Sequence, residues 1–163
     1  MNDAAKTSSN TAEPGFPLSL TRLIDAPVEL VYRAWTQHLA EWFAPHPLTT
    51  HLQEVDMRAG GRFRFTMKDP NGPEYPCDGV FLEVVPEHRI VSTDAFLPGW
   101  VPSGKAFMVA VTTFENEGGK TRYTATAMHW SAEDRKAHEE MGFHAGWNQV
   151  ADQFEAVVAK LKG

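Results

Sequence analysis

Residues 131–161 read SAEDRKAHEEMGFHAGWNQVADQFEAVVAKL, and the fold turns on how this stretch is read. Trp147, Val150, Phe154, Val157 and Leu161 recur at intervals of three and four, the spacing that gathers apolar side chains on one face of an α-helix. Ser131 with Asp134 three residues on is a capping-box pattern, in which the hydroxyl accepts a backbone N–H that the first turn leaves without a partner. A continuous helix from Ser131 to Leu161 would be roughly 46 Å long at ~1.5 Å per residue. Gly142 and Gly146 are the points where it would bend, because glycine weakens a helix by ~1 kcal/mol relative to alanine. An apolar stripe of this length needs a broad surface to lie on, and the residues upstream read as that surface.

From Arg62 to Lys68, Phe63, Phe65 and Met67 alternate with Arg62, Arg64 and Thr66, a strand with an aromatic face and a guanidinium face. Gly60-Gly61 before it and Asp69-Pro70-Asn71-Gly72-Pro73 after it read as turns. Further strands are predicted over Thr49–Met57, Tyr75–Val85 and His88–Phe96, and Leu97–Lys105, interrupted by prolines and glycines, as a loop. Ala106–Glu115 and Lys120–Trp130 form a last hairpin around Gly118-Gly119. At the front, Phe16–Ile24 alternates as a strand and Asp25-Ala26-Pro27 ends it. Val28, Val31, Tyr32 and Trp35 then mark the buried side of a short helix opened by Pro27, and a second helical turn over Leu39–Phe43 stops before Pro45. The short connections predict an α+β domain, a curved antiparallel sheet of about seven strands wrapped on the long C-terminal helix, with two short helices after the first strand.

The composition is that of a globular chain, 42% apolar and 22% charged, and its 163 residues suit one domain with a real core. A formal charge of −6 without any run of Lys or Arg argues against nucleic acid, whose phosphates demand a basic face. The single cysteine, Cys77, rules out an internal disulfide and fits a reducing compartment. No stretch approaches the ~18 uninterrupted apolar residues of a membrane span. The polar N-terminus lacks the apolar centre of a secretory signal, so residues 1–14 read as a flexible leader, 15–163 as the domain, and the location as cytoplasmic.

Four blocks, met in order, carry a family resemblance. They are Arg22-Leu23-Ile24-Asp25-Ala26-Pro27 leading to Val31-Tyr32-Arg33-Ala34-Trp35-Thr36; Leu39-Ala40-Glu41-Trp42-Phe43-Ala44-Pro45; Gly60-Gly61-Arg62-Phe63-Arg64-Phe65; and Gly146-Trp147-Asn148-Gln149-Val150 with Phe154. Over about Leu18 to Leu161 the chain resembles the START-related (SRPBCC, Bet v 1-like) superfamily with the helix-grip fold. More narrowly, it is similar to bacterial homologues of the C-terminal domain of the heat-shock-protein-90 ATPase activator. The resemblance implies a hydrophobic tunnel between helix and sheet, used across the superfamily for lipids, steroids, polyketides and plant hormones. Some relatives are cyclases or catalytic parts of oxygenases. The resemblance covers only that C-terminal domain and not the eukaryotic activator's additional N-terminal one, so the co-chaperone role is not expected to carry over.

A small hydrophobic or aromatic ligand is therefore the leading expectation, with Trp35, Trp42, Phe63, Phe65, Phe81, Phe96, Trp100, Phe107, His129, Phe143 and Trp147 as candidate binding residues. Trp100, on a Pro/Gly loop, is the candidate lid. No cofactor is implied. His138 and His144 stand six apart, roughly 240° around a helix, and no His-Glu-x-x-His or cysteine pair occurs, so no metal site is expected. An alternative is an enzyme of cyclase or hydrolase type acting on a polyketide-like or aromatic substrate. It would need two of Asp56, Glu74, Asp78 and Asp94, or one of them with His129, such as His129 with Asp94 or Glu74, within reach of a substrate, whereas most of these carboxylates are expected at the surface or paired with Arg62, Arg64 or Arg89. Cys77 has no adjacent base and reads as a small buried residue. A third reading is a protein-interaction module of co-chaperone-like role, which predicts a contiguous exposed apolar patch. A two-fold homodimer would be ordinary for such a domain, although no interface is legible.

Overall fold

In the computed structural model, which describes residues 13–163, the chain runs β1 (Leu18–Ile24), α1 (Val28–Gln37), a 3₁₀ turn (Leu39–Glu41), β2 (Thr49–Val55), β3 (Arg62–Lys68), β4 (Glu74–Val85) and β5 (Arg89–Thr93). It continues through the two-residue strands β6 (Phe96–Leu97) and β7 (Val101–Pro102), then β8 (Val109–Glu117), β9 (Lys120–Met128), α2 (Ala132–Glu140) and α3 (Phe143–Lys162). Of the leader expected over 1–14, residues 1–12 lie outside the described residues. The seven longer strands form one antiparallel sheet in the order β1-β9-β8-β5-β4-β3-β2, so the expected helix-grip architecture is present. Consecutive strands are neighbours wherever a short turn joins them, and the two edges are β1 and β2.

The predicted C-terminal helix is two helices. Gly142 takes a φ of +100°, a left-handed conformation open to glycine and costly for other residues, and the chain changes direction there. Ser131 caps α2 as expected, its Oγ accepting from Asp134 N at 3.1 Å. The stripe on α3 buries Ala151, Phe154, Val157 and Val158, while Trp147, Val150 and Leu161 are partly buried against the same core. Arg22 on β1 ties this helix to the sheet, its guanidinium donating to Asp152 at 2.9 Å, Glu155 at 2.7 Å and Asn148 Oδ1 at 3.0 Å.

The region predicted as a loop over Leu97–Lys105 contains the β6–β7 hairpin. A two-residue strand is too short to show alternation, and Pro98 and Pro102 hide it further. Bulges interrupt β2 near Gln53 and β4 near Leu82, bending the sheet. Among the described residues no helix is long and apolar enough to cross a membrane.

Candidate functional site

Cross-strand partners share a face, so the register of the sheet fixes which side chains line its inner side. Val55, Phe63 and Gly79 form one row across β2, β3 and β4, Leu52, Phe65 and Cys77 the next, and Thr50, Met67 and Tyr75 a third. Phe63 and Phe65 are buried, whereas Leu52 and Tyr75 at the outer end of this face stay 41% and 47% exposed. The α1–β2 segment covers the middle of the face: Phe43 meets Phe65 at 5.2 Å and Phe63 at 5.8 Å between ring centroids.

The candidate binding residues fall into three places. Trp35, Trp42, Phe63, Phe65 and Phe81 come together with Phe43 and Phe154. Trp42 stands 4.4 Å from Phe154, and Phe63 stacks on Phe81 at 4.7 Å with 14° between planes. These are contact distances for aromatic rings, so these side chains pack on one another where the resemblance implies a tunnel. Phe96 and Trp100 sit on the β6–β7 hairpin, edge to face at 5.9 Å. Trp100 is half exposed and its indole lies against Gly60, at the end of β2 remote from Thr50. Its φ of +61° is strained for a bulky side chain. The remaining candidates, Phe107, His129, Phe143 and Trp147, gather around His138, with Phe107 at 4.7 Å and Phe143 at 5.2 Å from its ring. Trp147 packs against both buried clusters and joins them.

A depression of about 460 Å³ opens beside the first of these clusters. Its walls are the 3₁₀ turn and the segment after it (Ala40, Glu41, Trp42, Phe43, Ala44, His46, Leu48), the start of β2 (Thr49, Thr50) and Gln153 of α3. Gln153 holds this wall in place. Its Nε2 donates to the carbonyls of Trp42 at 3.0 Å and Ala44 at 2.8 Å, and its Oε1 accepts from His46 N at 2.9 Å. Gln149, one helical turn earlier, donates to His46 O at 3.0 Å. Trp42 is pinned from behind by its indole N–H, which donates to Ala34 O at 3.2 Å. A second depression, about 440 Å³, lies between Ile24-Asp25 and the end of α3 and is crossed by the contact of Lys162 Nζ with Asp25 O.

No acid–base pair assembles from the groups proposed for one. His129 is buried beneath β9, Asp94 Oδ1 accepts from the backbone N–H groups of Phe107 and Met108, and Glu74 lies on β4 beside Lys68. Asp78 pairs with Arg62 through bonds of 2.9 and 2.6 Å, which hold its carboxyl below the usual range, and Asp56 pairs with Arg58. Burial, with Asp94 adding to it, pushes the Cys77 thiol up and away from reactivity. Among the described residues no three potential metal ligands cluster.

The sequence does not disclose the buried pair His129–His138, whose Nε2 and Nδ1 are 2.9 Å apart. His129 Nδ1 lies 2.8 Å from the carbonyl of Phe16, which can only accept, so that nitrogen carries the proton. The hydrogen bond between His129 Nε2 and His138 Nδ1 then joins the two rings inside the fold. Burial, reinforced by His129, lowers His138 to about 4 from an ordinary 6.5. Between these values the unfolded chain binds a proton that the folded chain refuses, so stability falls as pH drops from about 6.5 towards 4. The expected loss is roughly 2–3 kcal/mol by pH 4. Urea unfolding of the wild type and His138→Phe at pH 7.5, 6, 5 and 4 checks it. The difference between them should already change between pH 6.5 and 5, before carboxylates begin to protonate.

Sheet, grip and aromatic interior together define a START-related protein of the helix-grip class. The chain belongs to the family described as Activator of Hsp90 ATPase homolog 1-like protein, whose model matches residues 25–159. It is similar to a protein of Nitrosomonas europaea of known crystal structure, with 39% identity, a TM-score of 0.86, and coverage of 92% of this chain and 98% of that one. A protein of Arthrobacter aurescens (20% identity, TM-score 0.78, coverage 90% and 87%) shares the fold. So does one of Mycobacterium smegmatis (22% identity, TM-score 0.75, coverage 90% and 93%). Among curated proteins none matches the chain significantly.

Proposed function

We propose that this protein binds a small, mostly apolar molecule, and that it does so in the depression between the 3₁₀ turn, the start of β2 and α3. The observation that carries the reading is the wall itself. Phe43 and Leu48, both partly buried, offer an apolar surface backed by the buried Trp42 and Ala44 and continuous with the aromatic cluster, and hydrogen bonds from Gln149 and Gln153 preorganise it. Its volume, about 460 Å³, falls within the span of small-molecule sites. Membership in a hydrophobic-ligand superfamily supports the same reading, with the site at the edge of the packed aromatic cluster. Trp35, Trp42, Phe63, Phe65 and Phe81 then act as the rigid backing of the site, and Phe43 and Leu48 as its contact surface.

Fluorescence titration with 2-acetylnaphthalene tests this. Saturable binding with a Kd of roughly tens of micromolar is expected for a ligand of that size. Leu48→Glu, which puts a carboxylate into a partly exposed wall position, should weaken binding about tenfold or more while the protein stays folded. Unchanged affinity in that variant would place any binding elsewhere.

A further inference from the structure

Thr50 combines two properties that do not normally coexist. It is only 7% exposed, and its Oγ1 has no hydrogen-bond partner among the described residues. A buried hydroxyl in this condition costs about 1–3 kcal/mol. Other buried threonines of the chain avoid the cost: Thr121 donates to Ala26 O at 2.8 Å and Thr93 to Met108 O at 2.9 Å. Thr50 lines the depression and shares the inner face of the sheet with Met67. Apart from the His46 ring, the other polar groups around it are engaged. Gln153 is committed to the backbone, Thr49 lies 3.1 Å from His51 Nε2, and Glu41 is held by His38 at 2.6 Å and Lys160 at 3.4 Å. The imidazole of His46 stands exposed at the rim.

We infer that Thr50 Oγ1–H is the donor that orients the ligand, and that the ligand is a neutral carbonyl compound, a ketone, aldehyde, ester or amide on a flat apolar body. This rests on the binding reading of the depression given above. The apolar walls select the body, and a hydroxyl shut away from bulk water makes a stronger bond to an acceptor than a surface one. Neutrality follows from the Glu41 carboxylate in the same wall of a chain that carries a charge of −6. An anionic head group would meet like charge there, with Lys160 already drawn to Glu41.

The test is a cycle between protein and ligand. 2-Acetylnaphthalene and 2-ethylnaphthalene have nearly the same shape, one with a carbonyl where the other has a methylene, and each is titrated against wild type, Thr50→Val and Thr50→Ser. Thr50→Val should lower affinity for the acetyl compound about 5–10-fold and leave the ethyl compound within about twofold. Thr50→Ser, which keeps the hydroxyl, should retain the wild-type ratio. The Tm of the free protein should not fall in Thr50→Val, because the lost hydroxyl had no partner to lose. An acetyl-to-ethyl ratio that Thr50→Val does not move overturns the assignment of Thr50 and leaves the binding reading standing. Absence of saturable binding of either probe to the wild type overturns both.

Discussion

Phe154→Ala is expected to destabilise the protein by about 3–5 kcal/mol. The ring is fully buried and stands 4.4 Å from Trp42 and 4.8 Å from Tyr123, so it is where α3, the 3₁₀ segment and β9 meet. Truncation removes its transfer free energy and leaves a cavity that cannot collapse easily. Trp42 is fixed by its bond to Ala34, and Tyr123 belongs to a strand paired on both sides. Phe154→Leu should lose far less, because most of the volume is kept. Urea unfolding followed by tryptophan fluorescence measures both, and equal losses would contradict the packing account.

The second large effect is expected at Gly61. A Cβ built there would lie 2.0 Å from Asp56 O and 3.0 Å from Arg58 O, both backbone atoms. The turn has no freedom to relax. Gly61 N donates to Arg58 O at 2.8 Å, Gly60 N donates to Phe81 O at 2.7 Å, and Phe81 N donates to Gly61 O at 2.9 Å. Relieving the clash would break the link between the β2–β3 turn and β4, and with it the seat of Phe81 against Phe63. Gly61→Ala should therefore cost about 3 kcal/mol or more, at the upper end of overpacking effects. Calorimetry that found a Tm within a degree or two of wild type would show that the turn yields more readily than its hydrogen bonds imply.

These two positions mark what the sequence does and does not disclose. The helical spacing of Trp147, Val150, Phe154, Val157 and Leu161 identifies the face of α3, because burial on a helix repeats every 3.6 residues whatever the partner. The alternation of Phe63, Phe65 and Met67 identifies the inner face of β3 on the same grounds. Gly60-Gly61 is legible as a turn, but its clamp by Phe81 depends on the strand order, which no local pattern encodes. Gly142 is legible as a weak point and not as the end of α2, since its φ decides between a bend and a break.

The candidate site was the least legible part. Ten aromatics and a histidine share the composition of a pocket lining with that of a packed core, and distance alone separates the two. Phe43, beside Trp42, was readable as a candidate from its neighbour, yet its role depends on where the 3₁₀ turn ends. Thr50 enters through the register that sets it opposite Met67, and Gln153 through bonds to a segment more than a hundred residues earlier in the chain. His129 and His138 meet because β9 ends under α2, a contact between elements that periodicity treats separately.

In the binding reading proposed above, a mostly apolar ligand occupies the depression bordered by Trp42, Phe43 and Thr50. Two-dimensional ¹H–¹⁵N correlation spectra recorded during titration with 2-acetylnaphthalene test it most directly. Saturable shifts should concentrate at the amides of Phe43, Leu48, Thr49, Thr50 and Leu52 and at the side-chain amide of Gln153. Shifts centred instead on Trp147 and His138, or on Ile24 and Lys162, or no saturable shift at all, would contradict it.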